Sequence, residues 1–305
     1  DQFGWAVALS GDRAIITAPK DDGRGSAYGF VFNGATWAQR SKLVPQGVLE
    51  GDFGISAAIS GDRTVVGMAS DGAPSIRGSA FVFVASGTAW TQQAQLTASG
   101  GAPGDNFGFS VAVSGDRLLV GAFGASSLRG SAYVFDLVSG AWVQRPSFRG
   151  AEVIPGDRFG RAVALSGDRA LVGADEGGVG GNAGGAAYVF EPNGTTWVQR
   201  QRLVASDRGD FQHRWDERFG AAVALSGDHA VIGALFARVD PTQTSNAVER
   251  GAAYVFAYDG TWRETEKVTA SEWAPNDRFG ASVSITDGAA LVGACAKNGG
   301  QGAAY

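Results

Sequence analysis

Short apolar and polar runs alternate along this chain, and the same series of runs recurs from one end to the other. In one copy, Val163 and Leu165 fall on one side of an extended strand, and small alanines fall on the other. The next run, 170–174, is apolar throughout, which is typical of a strand buried on both faces. A Tyr-Val-Phe run follows, and then a more polar run that begins at Trp197. Each copy therefore predicts four short strands, with a polar strand outermost.

A Phe-Gly pair begins every copy and sets the period of the repeat. Successive pairs lie 50 to 60 residues apart, near the length of a propeller blade. In most copies the pair is followed by Ser-Gly-Asp, by Gly-Ala, by an aromatic run and by a tryptophan. The repeated phenylalanines are Phe3, Phe53, Phe107, Phe159, Phe219 and Phe279.

The connections between the runs carry turn residues. Ser-Gly-Asp-Arg between the first and second strands predicts a two-residue hairpin in which glycine supplies the positive φ. Asn193-Gly194 and Asp259-Gly260 predict similar turns between the third and fourth strands. No segment combines helical periodicity with caps. The whole chain is therefore predicted to be β-structure.

The fold class that follows is all-β: a propeller of four-stranded blades with at least six repeats, six or seven blades in all, incomplete at the ends. A solenoid is the alternative, because repeats of about this length also occur there. We predict one propeller domain, 1–305, with repeats 1–51, 52–104, 105–156, 157–216, 217–276 and the partial repeat 277–305. The chain begins inside a repeat and its single methionine is Met68, so we expect it to be part of a longer protein.

Charge and composition argue against some classes of function. The net charge of −5 argues against a nucleic-acid partner, which would call for a basic surface. No run reaches the roughly 18 apolar residues of a membrane span. The single cysteine, Cys295, lies in an apolar run and is predicted to be a small buried side chain.

The repeat resembles the FG-GAP family, which is found in integrin α-subunit propellers and in many exported bacterial proteins. The residues that carry the resemblance are Asp-x-Phe-Gly, Ser-Gly-Asp, Gly-Ala, Ala-Tyr-Val-Phe and Trp, and they are closest to the bacterial type. The resemblance implies a propeller that is secreted or exposed at the cell surface, where it serves in adhesion and protein binding.

The sequence departs from integrin-like propellers in the loops where those proteins carry calcium. Calcium needs six to eight oxygen ligands, but the connection between the first and second strands here is the tight Ser-Gly-Asp turn. The nearest acidic run, Asp21-Asp22-Gly23, lies between strands two and three. We therefore predict no metal site and no cofactor, with calcium as the alternative.

Catalytic residue types are scarce. The chain has two histidines, His213 and His229, and His229 occupies a turn position that is arginine in other copies. An acid precedes most Phe-Gly pairs, and we interpret it as a turn acceptor for backbone N–H groups, not as a ring of catalytic acids. We predict no catalytic residues and no enzymatic activity.

Loop lengths predict the binding site. Loops from strand two to three and links between blades emerge at one face, and both are longest at the fifth repeat (20 residues from Ala234 to Tyr254, 16 from Leu203 to Phe219). Long loops on a rigid scaffold are frequent binding sites, although neutral variation in length would give the same pattern. One insertion also contains the tripeptide Arg208-Gly209-Asp210, which many integrins recognise. The predicted binding residues are Arg208, Asp210, Phe211, His213, Trp215, Arg238, Asp240 and Arg250.

These observations favour a non-catalytic extracellular or surface propeller that binds a protein or a carbohydrate at one face. Two alternatives stay open. The chain could be a self-associating subunit of an extracellular assembly, or a propeller-type hydrolase or lyase, for which only the analogy of fold speaks.

Overall fold

Each repeat folds into one antiparallel sheet whose strands pair in chain order. The structure, a computed structural model, describes residues 1–47, 51–69, 77–176, 184–207, 217–238, 249–286 and 288–305. Five sheets have four strands and the sixth has three. These sheets are blades of an all-β propeller, the predicted fold class.

The first three blades begin at the first three Phe-Gly pairs. Their strands are β1 (Val7–Ser10), β2 (Arg13–Ala18), β3 (Ser26–Phe32) and β4 (Trp37–Leu43); β5 (Asp52–Ser60), β6 (Arg63–Ala69), β7 (Ser79–Ser86) and β8 (Ala89–Leu96); and β9 (Phe107–Ser114), β10 (Arg117–Ala122), β11 (Ser131–Val138) and β12 (Ala141–Gln144).

The last three blades follow the same plan. Their strands are β13 (Ala162–Ser166), β14 (Arg169–Ala174), β15 (Ala186–Asn193) and β16 (Thr196–Leu203); β17 (Phe219–Ser226), β18 (His229–Ala234), β19 (Ala252–Tyr258) and β20 (Trp262–Val268); and β21 (Phe279–Thr286), β22 (Ala289–Ala294) and β23 (Ala303–Ala304). The helical segments among the described residues are one turn each: a 3-10 turn (Asp21–Gly23), α1 (Ala125–Leu128) and α2 (Lys297–Gly300).

The chain groups into two compact units. One contains 1–126 with 130–148, and thus blades one to three; the other contains 127–129 with 149–305, and thus blades four to six. Within each unit, the first strand of a blade packs on the blade before it, as β17 packs on β13 and β14.

Each blade has two distinct ends. The turn end carries the Ser-Gly-Asp turns, and the loop end carries the connections between strands two and three together with the links between blades. At the turn end, Ser166 pairs with Arg169 across a two-residue turn, and Gly167 has φ 55°, as predicted.

The turns between strands three and four differ in length from blade to blade. Gly194 and Thr195 form one turn because Asn193 pairs with Thr196, whereas three residues separate Tyr258 from its partner Trp262.

The Phe-Gly pair docks against glycines of the preceding blade. A Cβ on Gly251 would lie 2.0 Å from the carbonyl oxygen of Phe279, and a Cβ on Gly233 would lie 2.0 Å from that of Gly280. A real Cβ cannot be accommodated at that distance from a backbone atom. Gly251 of blade five and Phe279 of blade six also form a parallel β-bridge. Blade five meets blade four through the same kind of backbone contact. The glycines of the repeat therefore allow two backbones to approach closely.

Apolar side chains fill the space between neighbouring blades. Leu171 and Val189 of blade four form one cluster with Val223, Leu225 and Ile232 of blade five. The bulky residues of the first strand therefore face the preceding blade. The repeated phenylalanine lies at the same interface, and five of its six copies are at most 1% exposed: Phe53, Phe107, Phe159, Phe219 and Phe279.

The Ser-Gly-Asp-Arg turns also join blades to one another. The Ser60 hydroxyl accepts a hydrogen bond from Gly115 N at 3.3 Å, and Arg63 pairs with Asp116 at 2.8 Å. Ser166 and Arg169 make the matching contacts to the turn of blade five. Each turn thus supplies a donor and an acceptor to its neighbour in addition to closing its own hairpin.

The structure tests two predictions about single positions, Cys295 and the acid before Phe-Gly. The prediction that Cys295 is buried is wrong: the apolar strand ends at Ala294 and the thiol is exposed. The interpretation of the acid before Phe-Gly as a turn acceptor is confirmed in three blades. Asp105, Asp157 and Asp277 each accept a hydrogen bond from the backbone N–H three residues earlier, at 2.8, 3.0 and 2.6 Å.

Substitution of Gly233 by alanine should destabilise the protein by at least about 2 kcal/mol, because the new methyl group would overlap the carbonyl oxygen of Gly280. The matched control is Gly194→Ala in an open turn, where only the positive φ opposes the change and about 1 kcal/mol is expected. Urea unfolding of both variants measures the difference. Equal losses of stability in the two variants would contradict the prediction, because they would show that the close approach of Gly280 to Gly233 adds no cost.

Candidate binding site

Both predicted insertions begin and end at the loop end of blade five. Phe219, at the start of β17, pairs with Ala234 at the end of β18, and Ala234 pairs with Ala252 at the start of β19. The link that enters the blade and the loop between its second and third strands therefore leave the sheet side by side. This placement agrees with the prediction from loop lengths.

Only part of the predicted residue set lies in the described residues, namely Arg238 and Arg250. Both lie at the base of the longer loop. Arg238 and Glu249 form an antiparallel β-bridge, and the N–H groups of Arg250 and Gly251 donate to the carbonyl of Ala237 at 3.1 and 3.0 Å. The loop is thus closed at its base by backbone pairing. The other predicted residues lie outside the described residues: Arg208, Asp210, Phe211, His213, Trp215 and Asp240.

A polar cluster lies beneath the two loop bases, and we define it as Asp207, Glu217, Tyr254 and Lys267. The Tyr254 hydroxyl donates to Asp207 Oδ1 at 2.9 Å, and Lys267 Nζ donates to Asp207 Oδ2 at 2.5 Å. Lys267 Nζ also donates to the carbonyl of Arg238 at 3.1 Å. One lysine therefore connects the entering link to the base of the longer loop.

Glu217 is the unusual member of the polar cluster. It replaces the aspartate that caps the turn before Phe-Gly in other blades, and its longer side chain is only 5% exposed. Its Oε2 atom has no hydrogen-bond partner among the described residues. Burial, aided by the nearby charge of Asp207 and opposed by Lys267 and Arg238, raises the pKa of Glu217 to about 7. Its charge therefore changes near neutral pH.

Blade one contains a similar group of side chains. Tyr28 pairs in register with Lys42, as Tyr254 pairs with Lys267. In blade one the acid is Asp21, which accepts from the Tyr28 hydroxyl at 2.5 Å and pairs with Lys42 at 2.9 Å. These hydrogen bonds lower the pKa of Asp21 to about 2. Blade one has no counterpart of the buried Glu217.

A cleft opens beside the longer loop, toward the link that enters blade six. Its residues are Arg250, Gly251, Thr269, Ala270, Ser271 and Trp273. The guanidinium of Arg250 stacks on the ring of Trp273, which is 43% exposed. An exposed tryptophan with a stacked arginine is the kind of pair that anchors protein interfaces.

Sequence reasoning missed five residues of this region: Asp207, Glu217, Tyr254, Lys267 and Trp273. Glu217 carried a signal, because four other copies have an aspartate at this position, two residues before the phenylalanine. Tyr254 lies in the aromatic run that predicts the third strand, and its pairing with Lys267 depends on strand register that the repeat alone does not give.

The described parts of the chain contain no group of three or more His, Cys, Asp or Glu side chains that could hold a metal ion. His229 is the first residue of β18 and is exposed, at the turn position predicted for it. Among the same residues, no helix has the length and apolar character needed to cross a bilayer.

The blades and their docking contacts define the class of protein, a β-propeller. A family model described as FG-GAP repeat matches the chain over 1–32, 37–83, 90–135, 142–190, 197–256 and 262–305. The chain therefore belongs to the FG-GAP repeat family, which confirms the resemblance drawn from the motifs.

The solved structures that are similar to this chain include the crystal structure of TolB from Acinetobacter baumannii. The similarity covers 88% of this chain and 54% of that chain, with 13% sequence identity and a TM-score of 0.47. The chain thus spans about half the length of that TolB chain. No curated protein matched the sequence.

The buried position of Glu217 predicts a pH dependence of stability. Its pKa rises from 4.5 to about 7 on folding, so the folded state binds more protons between these values. Stability should therefore fall as the pH rises from about 4.5 to 7, by as much as about 3 kcal/mol, and change little above that. Glu217→Gln should remove this fall, as measured by urea unfolding at pH 5 and pH 8.

The matched control is Glu266→Gln on the outer strand β20, which should keep the fall in stability. An unchanged pH profile in Glu217→Gln would contradict the assignment of the effect to Glu217.

Proposed function

We propose that this protein is a non-catalytic propeller that binds a protein or a glycan through the loop end of blade five. The observation that carries the proposal is the convergence of two long connections on one polar cluster. Lys267 and Asp207 tie the base of one connection to the other. Variable loops held on a rigid base are a common architecture for binding sites.

The rigid base favours binding because it lowers the entropy lost when a partner docks. The bridge between Arg238 and Glu249 pins one loop, and the three-residue contact of Asp207 with Tyr254 and Lys267 pins the other. The sequence of the connections can therefore vary without disturbing the blade.

The chemistry of the rim suits recognition of a macromolecule. Arg250 and Trp273 present a cation stacked on an exposed aromatic ring. The predicted residues of the two connections, among them Arg208, Trp215 and Asp240, would extend this surface with charged and aromatic groups. Tryptophan and arginine are the residues most enriched at the centres of interfaces.

Two further parts of the proposal rest on composition and family. With two histidines and one cysteine in 305 residues, the chain offers few pairs of nucleophile and base. FG-GAP repeats are typical of extracellular proteins, so we place this chain in the secreted or cell-surface fraction.

The binding experiment compares the protein with a variant in which 208–216 and 239–248 are replaced by short Gly-Ser connections. Each is applied to a printed glycan array and to a panel of purified extracellular proteins. We expect a ligand that the wild type binds and the variant loses. Trp273→Ala should weaken the same ligand roughly tenfold or more, because a central aromatic contact is worth about 2 kcal/mol.

The control variant is Arg63→Ala at the turn end of blade two, which should retain binding. Thermal melting of every variant checks that the fold is intact. A ligand bound equally without both connections would refute the proposed site, and no ligand on either surface would refute the proposed function.

A further inference from the structure

Blade one exposes a stripe of bulky apolar side chains. The four residues lie at alternate positions and are each more than half exposed: Phe3, Trp5, Val7 and Leu9. Three of these positions match Phe219, Val223 and Leu225 of blade five, which pack on blade four and are at most 9% exposed. We define the four residues as the open face of blade one, because the repeat normally covers this side of the first strand with another blade.

Blade six exposes the opposite side of its sheet. Leu291 on β22 is 56% exposed, whereas Leu171 and Val231, at the same position in blades four and five, are fully buried. Those two residues lie in clusters with the first strand of the next blade. The other side of β22 is covered, since Val292 is 4% exposed in the cluster with blade five. Blade six therefore has one packed side and one exposed side.

The exposed side of blade six keeps the two glycines that receive a Phe-Gly backbone in other blades. Gly293 and Gly302 match Gly233 and Gly251 of blade five, where a Cβ would overlap a carbonyl oxygen of blade six. The atoms nearest to a Cβ on Gly293 or on Gly302 all belong to blade six itself. We define Leu291, Gly293 and Gly302 as the open face of blade six. This face has the features that accept a Phe-Gly strand.

The Phe-Gly pair of blade one already has the conformation of a docked pair. Gly4 has φ 91°, and the glycines of three docked pairs have φ 88°, 94° and 87°: Gly108, Gly220 and Gly280. The Gly4 N–H donates to the carbonyl of Thr17 at 2.9 Å, and Trp5 Nε1 donates to the carbonyl of Ile55 at 3.1 Å. The open face of blade one is thus held in place before any partner docks, which lowers the entropy lost on binding.

The turn end of blade six differs from that of most other blades. Arg169 of blade four pairs with Asp228 in the turn of blade five, but blade six has Thr286 and Ala289 in place of the turn serine and arginine. Blade six therefore offers no arginine to the turn of a docked blade. A blade on its open face would be held by apolar packing and by backbone approach.

We propose that the open face of blade six binds the open face of blade one of a second copy of this chain. The contact would repeat the one between neighbouring blades: Val7 and Leu9 would cover Leu291, as Val223 and Leu225 cover Leu171. The burial of these exposed apolar side chains provides the driving force. Because the two faces differ, the copies associate head to tail.

A second copy is the partner of choice because it carries both matching features, the bulky stripe and a Phe-Gly pair in the docked conformation. Neither open face includes a residue of the polar cluster or of the cleft beside Trp273. The self-association proposed here and the binding function proposed for blade five can therefore fail independently.

The first experiment measures the molar mass of the 305-residue chain by sedimentation velocity over a wide range of concentration. The mass of the wild type should rise with concentration. Leu9→Asp and Leu291→Asp should each weaken association roughly a hundredfold or more, because each would bury an unpaired charge in the contact. Both positions are exposed in the single chain, so the fold should tolerate either change.

The decisive sample is an equimolar mixture of the two aspartate variants. Leu9→Asp keeps the open face of blade six, and Leu291→Asp keeps the open face of blade one. The mixture should therefore form a complex of one copy of each, and nothing larger. A contact between two identical faces would behave differently, since one of the variants would then associate on its own.

Gly302→Ala tests the docking of the backbone without a change in polarity. A Cβ at this position meets no atom closer than 3.7 Å in the single chain, but it would overlap the carbonyl of an incoming Phe3, as a Cβ on Gly251 would overlap that of Phe279. The variant should lose association. The matched control is Val138→Asp in blade three, where the side chain is 45% exposed, and association should be retained.

Thermal melting checks the fold of every variant, and the aspartate pair keeps the test valid if Gly302→Ala does not fold. A wild type that stays monomeric at every concentration would overturn the proposal. So would a mixture of the aspartate variants that stays monomeric. Association that persists in folded Gly302→Ala would also overturn it, because the copies would then be joined by some other contact.

Discussion

The close approach of one blade's Phe-Gly backbone to the glycines of the blade before it is the constraint on which the structure depends. The carbonyl oxygens of Phe279 and Gly280 occupy the space where side chains of Gly251 and Gly233 would lie. This contact brings the strands near enough for Phe279 to insert among the apolar residues of blade five. Because the contact is between backbones, it excludes any side chain at those glycines but leaves the nearby loops free to vary.

The freedom of these loops to vary explains why the candidate binding residues lie at the loop end. The turn end of each blade is committed to structure, since the serine and arginine of one turn bond to the glycine and aspartate of the turn in the next blade. The loop end carries the Phe-Gly contact, but because that contact is between backbones, it leaves the side chains of the connections free to vary. Residues there can be exchanged for charge or length, as when Glu217 replaces a turn-capping aspartate or when arginine replaces the residue before the phenylalanine. The polar cluster of blade five arises from such an exchange.

Buried carboxyl groups of the second unit differ in how their oxygens are satisfied. In the polar cluster, Asp207 is satisfied by Tyr254 and Lys267, and only Glu217 lacks a partner for one oxygen among the described residues. In blade four, Asp175 is 1% exposed, and neither of its oxygens has a hydrogen-bond partner among the described residues. A satisfied network stiffens the base of a loop, whereas an unsatisfied buried carboxylate carries the full cost of its burial.

The sequence by itself determined the strand order, the hairpin turns, the buried phenylalanines and the face on which the long loops emerge. These features depend on local spacing and on side-chain alternation, which a repeat displays several times over. Only the tertiary structure decided which side chains meet. Tyr254 and Lys267 become partners through strand register, and Arg158 and Arg218 become neighbours through a glutamate that lies between two blades. These residues are 13 to 60 positions apart in the chain, so no local pattern could have revealed their contacts.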